Sequence, residues 1–580
     1  MMHSLSRSKP AANTLSAIVY LKRSRQALLL IVVLLGAIGC LNPQESQMQT
    51  FLDRHVQTLE PLSTAMGRAS YAAEVTGSQQ DFNKVRQLRL QINRLYLNQQ
   101  DYAFLREMKA SGKVQDRRLA RQLDLLLIDY LRSQMDPALL ESTIQLQTRI
   151  TEQYNNYRGS IDGKPTQMAD IYHILTTEKD TALRKKAWQA SREVGAVVVE
   201  DYLRLVRMRN TLAQGIGYPN FHTYSLAANE QSVEDLDVLL GELDRLTNEP
   251  FARLKSELDA ILAQQYGIVS AELRPWHYHD PFVQRTPFVY ETNMDQYYAG
   301  QDVVKLSADY FSGVGLPVDD IIARSDLYEK PGKNPHAFAM NIDRRGDVRI
   351  LANVTSTERW METMLHELGH AVYAKYHDMR EPYLLRDPAH AFTTEAAAMF
   401  FGRLSRNAAW MQEMLSLTDL QRNQLQPVAF KYLQFQQILF ARWVLVMYHF
   451  EKAVYADPDQ DLNTLWWDLV ERYQQVHRPD EKPDAGWASK LHFTGAPCYY
   501  HNYILGELLA SQWHHYLVHD VLNSEASREV SFLTDPRIGE YFKKQVFGPG
   551  ILYPWNEMIR RSTGEPLTPK YFAQQFVDGN

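Results

Sequence analysis

From about residue 180 onward, the chain is written mostly in helical period. "ALRKKAWQASREVGAVVVEDYLRLVRMRNTLAQGIG" sets apolar residues three and four apart for many turns and stops at Gly215–Gly217. "VEDLDVLLGELDRLTNEPFARLKSELDAILAQQYG", "FKYLQFQQILFARWVLVMYHFEKAV" and "NYILGELLASQWHHYLVHDVL" repeat the pattern. Their Leu and aromatic stripes read as core faces rather than cofactor boxes. One region departs from it. "HAFAMNIDRRGDVRILANV" alternates around a turn signal at Arg344–Asp347, which predicts a hairpin of His336–Ile342 and Val348–Val354. Thr355 followed by Glu358 fits a capping box, so a helix is predicted from near Thr355 to about Lys375. The expectation is a large, mainly α protein with a small β-sheet beside one helix.

Size and charge narrow the class. A chain of 580 residues, 45% hydrophobic and 22% charged, suits a globular protein with several lobes. The aromatic share of 11% reads first as core packing, with room for part of it to line a cleft. Residues 1–39 hold Arg7, Lys9, Lys22, Arg23 and Arg25 and no acids; removing those five charges takes the net charge from −6 to −11. Such an acidic remainder argues against nucleic acid as the main partner.

The apolar run Ala27–Gly39 is short for a spanning helix and suits a signal-peptide core. Gly39 before Cys40 resembles a bacterial lipoprotein processing site, which makes Cys40 a lipidation site. The chain then divides into a signal peptide, 1–39, and one domain, 40–580. Export to the periplasmic side of a bacterial membrane follows, with membrane contact only through that N-terminal lipid. Cys498 is the other cysteine, so no disulfide framework is implied.

"HELGH" lies on the predicted capped helix. At 3.6 residues per turn, His366 and His370 fall on one face, one turn apart, and can share a metal ion. Glu367 is offset and can reach a water on that metal without ligating it, the logic of the zinc-peptidase motif H-E-x-x-H. Composition alone would produce that motif in such a chain roughly 3 times in 100. Gly369 lowers helix propensity, which suggests a close approach there. A catalytic zinc needs a third protein ligand. "FTTEAAAMFFGRL" offers Glu395, an acid among Ala, Met and Phe that is costly unless paired or metal-bound. Asp378 and Glu381 flank Arg380 in a polar stretch and fit less well.

These blocks carry a resemblance. A glutamate ligand on a following helix is similar to the gluzincins. "HAFAMNIDRRGDVRI…HELGH…TTEA" with "WWDLVERYQ…WASKLHFTGAPCYYHNY…SQWHHYL" resembles the angiotensin-converting enzyme (peptidyl-dipeptidase A) family from about Tyr172 to the C-terminus, and "AWQASREVG" resembles a helical block of it. The resemblance implies a two-lobed, zincin-like helical body with a deep central cleft. It implies one Zn2+ on His366, His370 and Glu395, with Glu367 as general base and then proton donor. His492 and Tyr503 would stabilise the tetrahedral intermediate. Lys490 and Tyr500, the latter in competition with Tyr499, would bind the substrate's C-terminal carboxylate. His336 and Ala337 would hold its main chain as an edge-strand pair. The chain also departs from the family. Val470 and Asn502 stand where two chloride-binding arginines would be, which argues against chloride activation. Met399 stands where an aspartate follows the glutamate ligand. The glutamine that also binds the carboxylate is not placed, and "RPWHYHDPF" (Arg274–Phe282) occupies its region.

The resulting expectation is a zinc peptidyl-dipeptidase acting on short peptides through a Glu367-activated, zinc-bound water. The alternatives are another gluzincin, an oligopeptidase or a one-residue carboxypeptidase, and a non-catalytic peptide-binding lipoprotein. The last does not need Glu367.

Overall fold

A computed structural model describes residues 42–287, 293–525 and 530–577. The apolar run and Cys40 lie outside them. Among the described residues no helix is long and apolar enough to cross a membrane, and the architecture is mainly α with two antiparallel two-stranded sheets.

Long helices form where the apolar period predicts them. α1 (Thr181–Gly215) and α2 (Val233–Tyr266) start on the side-chain caps of Asp180 and Ser232. The hairpin is β1 (Phe338–Asn341) and β2 (Val348–Leu351). It leads into the histidine helix α3 (Glu358–Lys375), followed by α4 (Ala391–Gly402), α5 (Asp419–Ala456) and α6 (His501–Tyr516). α5 begins before the apolar pattern does, because Thr418 and Gln421 form a capping box ahead of it. Beyond Tyr516 the apolar pattern continues through a π-helical turn, Leu517–Val521, instead of regular α-helix.

One large core joins α1 to α6 and buries Trp443, Trp466, Trp487 and Trp513 completely or nearly so. Each such ring removes a large apolar area from water and dominates local packing. A second, smaller core holds the helices Pro43–Thr76, Gln99–Ser111 and Arg117–Arg132 against Tyr383 and Leu384. Arg118 ties these helices to the body with a two-pronged pair to Glu381, at 2.7 Å on both prongs. Glu381 is therefore committed to an ion pair far from any metal role.

Two expectations are corrected here. α3 is capped by Thr357, whose hydroxyl accepts from the Trp360 N–H, and not by Thr355. Glu358 does not close a capping box; its carboxylate turns away to Arg406, at 2.8 and 2.9 Å, and to Ser405. The strands are also shorter than the alternation suggests. His336 sits in an exposed bend with its N–H donated to Asn334 Oδ1, and Ala337 precedes the first paired residue, Phe338. An Asn side chain takes the hydrogen bond that a strand partner would have taken.

Two contacts set the spacing of the helices that matter. A Cβ on Gly369 of α3 would lie 2.7 Å from Ala398 Cα and 2.8 Å from Ala397 O of α4. A Cβ on Gly506 of α6 would lie 3.2 Å from Glu395 Cβ and 3.1 Å from Met399 Sδ. In a free helix Gly369→Ala would gain about 1 kcal/mol of propensity. Here it must push backbone from backbone, an overpacking loss of about 1–3 kcal/mol or more. The expected result is a lower thermal midpoint together with weaker metal retention. A midpoint that rises instead would show that the two helices have slack.

Candidate metal centre

α3 points Glu362, His366 and His370 along one face, a turn apart. α4 crosses it at Gly369 and presents Glu395 to the same space. The ligand atoms of His366, His370 and Glu395 lie within 4.8 Å of one another, and each Nε2 stands 3.8 Å from Glu395 Oε2. None of these pairs is at hydrogen-bonding distance. Zinc–ligand bonds of about 2.0–2.2 Å would place tetrahedral donors roughly 3.3–3.6 Å apart, so the set closes on an ion with small rotamer changes. His370 Nδ1 is 2.8 Å from Thr394 Oγ1. An N–H donated there leaves the Nε2 lone pair toward Glu395.

The electrostatics point the same way. Burial pushes His366 down to about 4; burial, then His366, pushes His370 down to about 3. Both rings are therefore neutral ligands at pH 7. Burial, then the Glu507 carboxylate, pushes Glu395 up to about 7. Burial, then Glu395, pushes Glu367 up to about 8, partly offset by the backbone of Ala339 on β1. Two buried acids with no cation between them are short of positive charge, and a divalent ion at the donor set supplies it.

The surrounding elements form two cavities that meet at His366. One runs along β1 and touches Ala337, Phe338, Ala339, Glu367, His370 and Glu395. β2 is occupied on its far side by Asp326, through Asp326 N–H to Ile350 O and Ala352 N–H to Asp326 O. β1 is thus the free edge. Ala337 lines this cavity; His336 lies outside it.

The other cavity is lined by Asp280 and Arg285, whose charges act on the buried Lys490. Lys490 is 8% exposed, has aromatic rings of Trp443, Tyr500 and Phe282 within 5.1–5.4 Å, and has no carboxylate within ion-pair distance among the described residues. Its ammonium donates to Gln284 Oε1 at 2.6 Å. The Tyr500 hydroxyl donates to the same oxygen at 3.4 Å and accepts from Trp443 Nε1 at 2.9 Å. Burial pulls Lys490 down to about 8, with Asp280 opposing. Of the two neighbouring tyrosines, Tyr500 faces Lys490, while Tyr499 is raised by burial, then by Glu395 and Tyr503. His492 packs edge-on against Tyr500 at 5.0 Å, and Tyr500 against Tyr503 at 5.5 Å. Tyr503 feels the Glu395 charge, so it borders the metal cluster.

Gln284 is the residue that sequence reasoning missed. Val283, immediately before it, is buried with φ 53°, and His279 has φ 66°. A β-branched residue in the left-handed region is strained by about 1–3 kcal/mol. Asp280 holds the loop in that shape by accepting from the N–H groups of Phe282 and Gln284.

With this geometry in place, comparison with known proteins becomes informative. A family model described as "Angiotensin-converting enzyme" matches residues 42–571. The chain belongs to the angiotensin-converting enzyme family. One curated relative is "Thermostable carboxypeptidase 1" of Pyrococcus furiosus, 21% identical over 269 residues, or 41% of this chain and 51% of the relative. The chain thus spans about half the length of that relative. Family membership gives this chain the scaffold of a metallopeptidase family.

The chain's departures from the family also have a physical form. Val470 is buried in the main core, and Asn502 accepts from Gln231 Nε2 at 2.9 Å in a neutral network with His501. Met399 packs toward Gly506, and the hydrogen-bond partner of His370 Nδ1 is Thr394.

The raised acids give a signed prediction for the metal. In metal-free protein the protonated forms of Glu395 and Glu367 stabilise the fold, and that contribution is lost as pH rises through about 7 and 8. The lowered histidines act in the opposite sense, with their contribution present above about 6.5 and lost toward acid, below this window. Zinc-loaded and chelator-treated protein should therefore differ more in thermal midpoint at pH 8 than at pH 6. An equal gap at both pH values would contradict a cation site built on these two acids.

Proposed function

We propose that this protein is a zinc-dependent peptidyl-dipeptidase that removes dipeptides from the C-termini of short peptides. The observation that carries the reading is Lys490: a buried cation with no ion-paired carboxylate among the described residues, bonded to Gln284, which Tyr500 shares, and close to Asp280 and Arg285 of the cavity that also holds His366. A substrate's terminal carboxylate is the missing anion. Anchoring it there fixes which peptide bond reaches His366, His370 and Glu395.

Zinc, when bound, supplies Lewis acidity at the scissile carbonyl. Glu367 takes the proton of the attacking water and hands it to the leaving amine. Its environment favours the protonated form after that first transfer, which suits the second. Tyr503 and His492 donate to the developing oxyanion. The free edge of β1 pairs with the extended peptide upstream of the cut. The printed name of the archaeal relative, a carboxypeptidase, is consistent with cleavage counted from the C-terminus. The basic segment, apolar run and Gly39–Cys40 support export and lipidation at Cys40, just ahead of the domain that begins at residue 42. Short peptides outside the cytoplasm are then the substrates.

A zinc-loaded digest of one defined octapeptide, read by mass spectrometry, tests the reading. Stepwise loss of C-terminal dipeptides, suppressed by C-terminal amidation, is expected. Internal cuts indifferent to amidation would place the protein among oligopeptidases instead. Glu367→Gln should lower kcat by about 10²–10⁴-fold while zinc stays bound. Lys490→Ala removes a charge-assisted bond of about 1.5–3 kcal/mol, so KM should rise roughly 10–150-fold.

The pH dependence follows from Lys490. Its charge is lost as pH rises through about 8, so the advantage of a free carboxylate over an amide should fade above that pH. An advantage that is flat to pH 10 would remove Lys490 from the anchor.

A further inference from the structure

The cavity that His366 shares with Asp280 and Arg285, two residues whose charges act on Lys490, has a volume of about 730 Å³. Glu362 and His366 of α3 form one wall, and the loop Asp280–Thr286, which carries Gln284, contributes another. Most of its buried charges are matched. Arg406 grips Glu358 with two bonds, and Arg403 is paired with Glu507, which also accepts from Gln437. Glu362 is not matched. It has no hydrogen bond or ion pair to any described residue, and its side chain is open to the cavity although protein surrounds it. Burial, then Glu358, pushes its carboxyl up to about 7, with Arg406 and Arg359 only partly opposing. It stands one turn before His366, and it lines the cavity that holds Asp280 and Arg285 but not the one along β1.

We propose that Glu362 is a specificity-determining residue that selects a lysine or arginine side chain in the dipeptide released from the substrate's C-terminus. The proposal rests on the dipeptidase reading for the direction in which substrate lies. A lysine stem is long enough to cross from a bound main chain to the carboxylate, and its ammonium supplies the charge this wall lacks. Water reaches Glu362 in the free protein, so the acid is tolerated there; a cationic side chain displaces that water and keeps the carboxylate ionised. Arg285, exposed on the opposite loop without an ion pair among the described residues, is the competing feature, since it would favour an acidic side chain.

The test uses zinc-loaded protein and blocked tetrapeptides with lysine, norleucine or glutamate at each of the last two positions. Products are identified by mass spectrometry. At one of the two positions, kcat/KM for lysine should exceed that for its neutral isostere norleucine by at least about tenfold, with glutamate poorest. Glu362→Gln should bring the lysine-to-norleucine ratio to within about twofold, and Glu362→Lys should turn the preference toward glutamate. No lysine preference in the wild type, a ratio untouched by Glu362→Gln, or a glutamate preference abolished by Arg285→Ala would each overturn the assignment. Dissociation constants of the same peptides on zinc-loaded Glu367→Gln protein read the pocket without turnover. If the wild type does not release dipeptides, the dipeptidase reading fails, and the lysine-to-norleucine affinity ratio still decides for or against Glu362.

Discussion

The backbone contact between Gly369 and Ala397–Ala398 sets the distance on which the rest of the site depends. Two histidines a turn apart can offer two ligands, but the third must arrive from another element. α3 and α4 approach closely because one residue has no side chain and those opposite it have only methyl groups. Met361, Met364, Leu365, Leu368 and Val372 are fully buried around the contact, so the helix is fixed by packing along its length. α6 adds the second close approach, at Gly506 against Glu395, and it carries Tyr503. The candidate metal ligands and Tyr503 thus hang from three mutually packed helices, which hold geometry better than loops do.

Charge burial is the second constraint, and it is organised around that packing. Glu358 and Glu507 would be costly so deep in the protein, and each is given an arginine. Glu367 and Glu395 are given none and are pushed up instead. Lys490 is the mirror case, a cation among rings with an amide oxygen in place of an acid. Folding thus leaves groups of opposite sign unmatched, and in the proposed reading a bound ion would compensate the acids and a substrate terminus the lysine.

Much of this was legible where the signal is local. The period of α1 and α2, the hairpin, the H-E-x-x-H face and an acid stranded on the apolar α4 are short-range patterns, and each appears in the structure. Gly369 was legible as a close approach because glycine inside a helix needs a reason. The misses share a different character. Thr355 and Glu358 fit a capping box, yet Glu358 gains more from a buried guanidinium than from an exposed N–H, and the cap moves to Thr357. Gln284 lies in a loop held by a strained Val283, and nothing in "FVQRT" announces a left-handed backbone. Tyr499 and Tyr500 could be separated only by seeing which ring faces Trp443 and Lys490. Position along the chain gives ligands that one helix can align; tertiary geometry gives those that several elements must bring together.

The two cavities that meet at His366 divide recognition by chemistry. Along β1 the cavity offers the strand's open edge beside Asn341, Thr394 and Asp387, so in the proposed reading that side holds an extended main chain. The other cavity carries side-chain charge, with Asp280, Arg285 and an acid at Glu362 that has no ion pair among the described residues, and that side can discriminate. Discrimination there has a structural reason. A buried polar wall rejects a ligand that leaves it unpaired far more strongly than an apolar pocket rejects a wrong shape. In the proposed reading, then, the part of a peptide that departs meets the charged walls and is inspected there, while the part that stays runs along the strand edge.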